Sequence, residues 1–309
     1  MAKSSGLNTR RAAARFTVAA VTAALVATGT STAFAVDAPG RSASQVSTDA
    51  KASGATQYGV KVQSKKAQVN ALYGMDGNGN LSGYAPDGKG GLGPRQPTGS
   101  GWQDTRFITQ VDQNLNGESD GIWDVTGSQL RYRDWSSTSP VLVGGGWNIY
   151  NRLLSAGNLG GAAYEDLLAR DGSGVLWLYL GYGNGKLTSR YKVGGGWNAY
   201  TDIAGKGDLT GDGKDDIVAK DTSGVLWLYK GTGNSKAPFA ARTRIGSGWN
   251  AYNALISVGD INYDGITDLI ARDKSGALWL YKGTGKAAAP YAPKVKIGNS
   301  GWNTYRILY

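Results

Sequence analysis

The sequence predicts an all-β fold made of repeated four-stranded units, and three observations carry that prediction. A Gly-Trp marker recurs, with Trp102, Trp147, Trp197, Trp249 and Trp302 separated by 45, 50, 52 and 53 residues. Each interval holds short runs of β-formers punctuated by Gly, Asp and Ser. No stretch keeps a helical period long enough to compete. Self-similarity at this period, four strands to the unit, describes the blades of a β-propeller. Five blades are expected, with six as the alternative.

The interval beginning at Trp197 shows the unit clearly. Strands are expected over 201–208, 216–220, 225–230 and 242–245. The third recurs as VLWLY at 175–179 and 225–229 and as ALWLY at 277–281. An apolar run of this kind reads as a strand buried on both faces, placing Trp177, Trp227 and Trp279 in the core between blades. The remaining units are 102–146, 147–196 and 249–301. The two ends of the 57–309 region are incomplete: 71–81 (ALYGMDGNGNL) resembles 226–234 (LWLYKGTGN), and the C-terminal GWNTYRILY supplies only the start of a unit. Joining 305–309, as an inner strand, to N-terminal strands between about 58 and 84 gives a blade shared by both ends. Such closure removes exposed sheet edges.

Ahead of the repeats, residues 1–35 combine Lys3, Arg10, Arg11 and Arg15 with an apolar stretch from Phe16 to about Val26 and the triplet Ala33-Phe34-Ala35. This is a secretory signal pattern with cleavage expected after Ala35, and the apolar stretch is too short for a transmembrane anchor. The run 36–56 reads as a flexible linker. Removing 1–35 deletes four of the 33 basic residues and none of the 23 acidic ones, so the net charge falls from +10 to +6. Without a cluster of five or more Lys or Arg, that excess argues against nucleic acid as a partner. Cys and His are both absent. Ser-His-Asp and Cys-His chemistry and His- or Cys-based zinc sites are therefore excluded, leaving carboxylate pairs as the only open route to catalysis.

Between the first two strands of three units lies a loop of alternating oxygen-bearing side chains. The sets are Asp112, Asn114, Asn116 and Asp120; Asp208, Thr210, Asp212 and Asp216; and Asp260, Asn262, Asp264 and Asp268, with Gly117, Gly213 or Gly265 at position six. Oxygens at positions one, three, five and nine, with the position-seven carbonyl of Glu118, Lys214 or Ile266, form the shell a hard cation such as Ca²⁺ requires. Position twelve is Trp123, Ala219 or Ala271, so this is not an EF-hand. A metal-free polar hairpin is the competing reading. In the second unit Gly160 and Ala162 replace side-chain oxygens, and that loop is expected to be empty.

These loops resemble FG-GAP and VCBS repeats, which implies a propeller with calcium-binding hairpins. The junctions VGGGWNAYTDI and IGSGWNAYNAL are similar to those of tachylectin-like five-bladed lectins, which implies binding of N-acetylated sugars between blades. The candidate glycan contacts are Trp147, Asn148 and Tyr150; Trp197, Asn198 and Tyr200; Trp249, Asn250 and Tyr252; and Trp302, Asn303 and Tyr305. Rings stack on sugar faces and planar amides meet hydroxyls, although the same aromatics also suit packing between blades. Every repeated Asp falls in a loop or a turn, such as Asp171, Asp221 and Asp273, and no isolated Glu pair stands out. The expectation is a secreted, non-catalytic, calcium-stabilised lectin for extracellular or cell-surface glycans. The alternatives are a scaffold or targeting subunit with a secreted protein partner, and a carboxylate-dependent glycan-active enzyme.

Overall fold

The structure, a computed structural model, describes residues 67–309; the expected signal peptide and linker lie outside them. Three strands come first: β1 (Leu72–Asp76), β2 (Leu81–Tyr84) and β3 (Gln96–Gly99). The first blade follows as β4 (Thr105–Val111), β5 (Gly121–Thr126), β6 (Gln129–Asp134) and β7 (Val141–Gly144). The second is β8 (Tyr150–Gly157), β9 (Asp166–Asp171), β10 (Leu176–Tyr179) and β11 (Tyr191–Gly194). The third is β12 (Tyr200–Ala204), β13 (Ile217–Asp221), β14 (Leu226–Tyr229) and β15 (Thr243–Gly246). The fourth is β16 (Tyr252–Ile256), β17 (Leu269–Asp273), β18 (Leu278–Tyr281) and β19 (Val295–Gly298), before β20 (Tyr305–Leu308).

Each blade is a four-stranded antiparallel sheet, and the fifth has the order β20-β1-β2-β3, so the two ends of the described chain share it. The molecule is a five-bladed β-propeller, as the repeat period predicts. Register corrects one detail of the reading: β1 pairs with both β20 and β2. Residues 71–81 are therefore a second strand and its turn, equivalent to the stretch beginning at Ile217, rather than a third strand equivalent to 226–234.

Five apolar clusters stand between successive blades, one per junction. The innermost three strands of each blade supply them, whereas the outermost strands β3, β7, β11, β15 and β19 are largely exposed. The LWLY strands depart from the two-faced burial expected of them. Their Leu residues are buried, while Trp177, Trp227, Trp279 and the following Tyr are half-buried. The cause is the period of two: alternate side chains face opposite neighbours, and near the outer strand only one of those faces is fully covered.

Candidate functional site

The junctions are the most repeated chemistry in the molecule. A short 3₁₀ turn opens at Trp147, Trp197, Trp249 and Trp302, each following a left-handed glycine such as Gly196 (φ 83°). The Trp N–H donates to the turn of the preceding blade, at Ser128 O, Gly174 O, Gly224 O and Gly276 O, and Trp102 N does the same to Gly79 O. From the preceding blade a cation reaches back to the carbonyls of the new turn. Arg170 donates to Trp197 O and Tyr200 O, Arg272 to Trp302 O and Tyr305 O, Lys220 to Tyr252 O, Arg106 to Asn148 O, and Arg306 to Thr105 O. At least one cation thus spans each of the five junctions, and the one between the second and third blades carries Arg152 as well, which donates to Thr201 O and pairs with Asp202.

The expected glycan contacts fall into two groups. Trp147, Trp197 and Trp249 are 6–7% exposed, and Tyr150, Tyr200, Tyr252 and Tyr305 are buried, all in the clusters between blades. Trp302 is half-buried against Tyr84, with ring centroids 4.5 Å apart. Asn148, Asn198, Asn250 and Asn303 are exposed. Three of these rest on the turn of the preceding blade. Asn198 Nδ2 donates to Gly172 O and Asn303 Nδ2 to Lys274 O. Asn250 lies where a Cβ on the left-handed Gly224 would stand 2.6 Å from its Cγ, so that turn admits only glycine. The structure therefore gives the aromatics and most of the amides packing work at the junctions.

A groove of about 470 Å³ opens between the second and third blades. Gly194, Gly195 and Gly196 line one wall, Lys236 to Ala240 the other, and Trp197, Tyr200, Tyr229 and Arg242 are shared between floor and rim. Tyr200 and Tyr229 join hydroxyl to hydroxyl, and Arg242 donates to the Tyr200 hydroxyl. Its guanidinium carbon lies 4.1 Å from the Trp227 ring centroid, an attractive cation–π arrangement. The same set recurs in the second blade as Tyr150, Tyr179, Arg190 and Trp177, and in the fourth as Tyr252, Tyr281, Lys294 and Trp279. Each of these three Trp residues donates its indole N–H to the turn carboxylate of Asp171, Asp221 or Asp273. Tyr84, Tyr305 and Arg95 repeat part of the set in the shared blade, where Ser82 replaces Trp and accepts from Arg95.

The oxygen-rich loops share one backbone design. Position one accepts the N–H of the position-six glycine: Asp112 from Gly117, Asp208 from Gly213, Asp260 from Gly265. Position nine accepts from the loop's start, Asp120 from Gln113, Asp216 from Leu209 and Asp268 from Ile261. Position four is left-handed, including Leu115 (φ 59°) and Tyr263 (φ 63°), side chains that adopt this conformation at a cost. Burial chiefly pushes Asp260 up, against the N–H groups of Gly265 and Asp264 that hold it down and with a smaller push from the Asp264 carboxylate, while burial pushes Asp268 up to about 7 and Asp216 to about 6. This crowding of negative charge suits a cation. Among the described residues, however, no three acidic, Cys or His side chains stand as a preformed metal cluster. A cation at Asp260 would also need Asn262 and the Ile266 carbonyl. Asn114, Asn116 and Glu118 occupy the matching places in the first loop. In the loop at Asp208, Asp212 sits 3.6 Å from Lys230 Nζ, a competitor for the same charge. The second-unit loop is held by Asn158 instead, through Gly161 N and Ala162 O.

One cluster has no counterpart in the sequence reading. Near the ring axis Lys206 Nζ donates to Glu165 Oε2 at 2.8 Å and to Gln110 O at 2.9 Å, and both charged side chains are at most 3% exposed. Glu165 also accepts from Asp112 N, Ser155 Oγ and Gln68 Nε2, tying the N-terminal strand region to three blades. The available signal was loop position eight, polar in all four units: Ser119, Glu165, Asp215 and Thr267. Beside this cluster is a small cavity of about 90 Å³, lined by inner strands and Tyr309.

Comparison with known proteins finds one family model and several solved structures to which the chain is similar. The model of the FG-GAP-like repeat matches residues 208–271, which hold the loop at Asp208, strands β13 to β15 of the third blade, β16 and the loop at Asp260. No curated protein matches. Among solved structures, the chain is similar to PorZ, described as an essential bacterial surface component of the type-IX secretion system of Porphyromonas gingivalis. Identity is 16% and the TM-score 0.38 over 76% of this chain and 28% of that one, so this chain spans less than a third of that protein. It is also similar to the WD40 domain of SCAP from fission yeast (8% identity, TM-score 0.35, 75% of this chain and 56% of that one). A protein of unknown function from Bacteroides caccae matches at 9% identity and TM-score 0.36, over 75% and 73%. Similarity to tachylectin-like lectins is not among these findings. The chain is a five-bladed β-propeller that carries an FG-GAP-like repeat across 208–271.

Proposed function

We propose that this chain is a secreted, non-catalytic lectin whose blade junctions bind extracellular or cell-surface glycans at several equivalent grooves. The carrying observation is the groove at Trp197, Tyr200, Tyr229 and Arg242, whose floor set recurs in the neighbouring blades. Its dimensions suit one or two sugar residues, and its hydroxyls, carbonyls and cation suit hydroxyl-rich ligands. The grooves, rather than the exposed faces of the buried tryptophans, are the contact surface. A single shallow groove binds weakly, and repetition on one rigid ring raises avidity without new contacts.

Secretion rests on the pattern at 1–35; among the described residues no helix is long and apolar enough to cross a membrane. Calcium at the loops of Asp260, Asp208 and Asp112 would neutralise the crowded carboxylates and pin the inner hairpins, a structural role. The absence of catalysis is supported by Glu165 being enclosed and ion-paired, and by turn carboxylates committed to amide and indole N–H groups. A glycan array probed with and without calcium tests the reading. Binding to purified glycans supports it. Silence on the array together with capture of a defined secreted protein favours the scaffold alternative.

A further inference from the structure

The outermost strands carry a second repeated pattern, [Arg/Lys]-x-[Arg/Lys]-[Val/Ile]-Gly, at 190–194, 242–246 and 294–298. Its six cations, Arg190, Lys192, Arg242, Arg244, Lys294 and Lys296, are all exposed. Across each pair of strands the second cation stands opposite the Trp of LWLY: Trp177 against Lys192, Trp227 against Arg244, Trp279 against Lys296. The first cation is stacked on that same Trp, 4.0 Å, 4.1 Å and 4.4 Å from the ring centroid, and donates one N–H to the tyrosine pair. Among the described residues none of the six is ion-paired within a blade or between blades. The nearest carboxylates, Asp171, Asp221 and Asp273, are occupied by indole and turn N–H groups.

Charged residues on an edge strand also discourage edge-to-edge pairing. That explanation does not account for the stacking, and it fails on the first blade, whose outer strand exposes Val141 and Leu142 and carries no charge. A cation fixed by an aromatic face and a phenol hydroxyl, with its remaining donors free, loses little freedom when it takes up an anion.

The geometry points to an acidic polysaccharide as the ligand, lying along the rim of three consecutive blades with its anionic groups on these cation pairs. This rests on the glycan reading of the grooves and deepens it by naming the glycan's charge. Sugar rings occupy the grooves and carboxylate or sulfate groups meet the cations at the groove mouths. Successive blades present the same pair, so a regular polyanion meets a regular surface.

The test compares two polymers with one backbone: polygalacturonate and its fully methyl-esterified form, each immobilised and probed with the full chain and with Lys192→Gln/Arg244→Gln/Lys296→Gln. These three side chains lie outside the tyrosine pairs, so the junctions stay intact, as an unchanged melting profile will show. Retention on polygalacturonate at least about tenfold stronger than on the ester, lost with salt and weakened about tenfold in the triple variant, supports the inference. Equal retention on both polymers overturns the acidic preference and leaves the glycan reading standing. No retention on either polymer at low salt overturns both. Full retention of the triple variant overturns the rim as the contact, and equally tight binding to duplex DNA overturns polysaccharide as the class of ligand.

Discussion

The second, third and fourth blades and the remaining two use the same strands and different junction chemistry. In the three regular blades a Trp–Tyr–Tyr–cation set forms the junction floor, with charge on the outer strand. In the first blade Arg133 replaces the LWLY tyrosine, stacks 4.7 Å from the Trp102 ring centroid and is ion-paired with the buried Asp124. Its outer strand is apolar. The shared blade keeps the tyrosine pair but replaces Trp with Ser82. Packing tolerates these exchanges because each junction still has its backbone bond and its bridging cation. The recurring groove chemistry, by contrast, survives only where the whole set is present. Closure is thus general to the ring, whereas the proposed recognition would be confined to an arc of it.

The largest effect expected from this contrast is at the shared blade, which alone is assembled from two ends. Deleting residues 305–309 removes Tyr305, Arg306 and Tyr309 and leaves β1 as an unpaired edge, so the truncated protein should be oligomeric or insoluble by size-exclusion chromatography. A soluble monomer with the parent melting profile would show that this blade does not close the ring.

Next in size is the hub that ties blades together near the axis. Lys206→Met leaves the buried Glu165 charge without its ion-pair partner and should cost about 3–5 kcal/mol, read as a shift of the denaturation midpoint. Adding Glu165→Gln should recover a large part of the loss. If the single variant melts with the parent, the pair contributes nothing to cohesion.

The loops separate the blades in another way. About 1 mM calcium over a ~10 µM site adds about 2.7 kcal/mol per site, and Asp264→Ala should abolish the part due to its loop. The Asn158 loop should add nothing, so Asn158→Ala should leave the calcium increment intact. Superimposable melts of metal-stripped protein in chelator and in calcium would remove the metal reading altogether.

A smaller effect is expected with pH. Asp166 and Asp268 are pushed up to about 7 and Asp216 to about 6, chiefly by burial. Carboxylates raised on folding bind protons that the unfolded chain, with ordinary values near 3.9, has already released. Stability of the metal-free protein should therefore fall as pH rises from about 4 to 7, by a few degrees in melting temperature. Asp171 and Asp273, held low by N–H groups, act only below that window. A metal-free melting temperature that rises steadily from pH 5 to 8 would contradict the assignment.

The ring was readable because Gly-Trp markers, strand-length runs and the turns at Asp171, Asp221 and Asp273 repeat in register, and repetition survives ignorance of contacts. The roles of Trp197 and Tyr200 were not, since an aromatic that stacks on sugar and one that fills a junction are the same residue at the same spacing. Only their burial separates the two. Glu165 and Lys206 lie 41 residues apart and occupy positions that other units fill with different polar groups, so no pattern announces them. The basic pairs at 190–192, 242–244 and 294–296 were present in the sequence but gained meaning only when strand register set them against Trp177, Trp227 and Trp279.

The central claim, that equivalent grooves on the regular blades make the contact, is best tested by filling them. Gly145 and Gly195 are exposed, not left-handed, and have nothing within 4 Å of an added Cβ, and Ser247 holds the matching exposed place in the next junction. Gly145→Phe, Gly195→Phe and Ser247→Phe thus put a ring over each groove without taking an atom from the core. Retention on an immobilised polysaccharide should fall stepwise as one, two and three plugs are introduced, each step about tenfold, with melting temperature unchanged. A folded triple-plug protein that binds as the parent does would contradict the account.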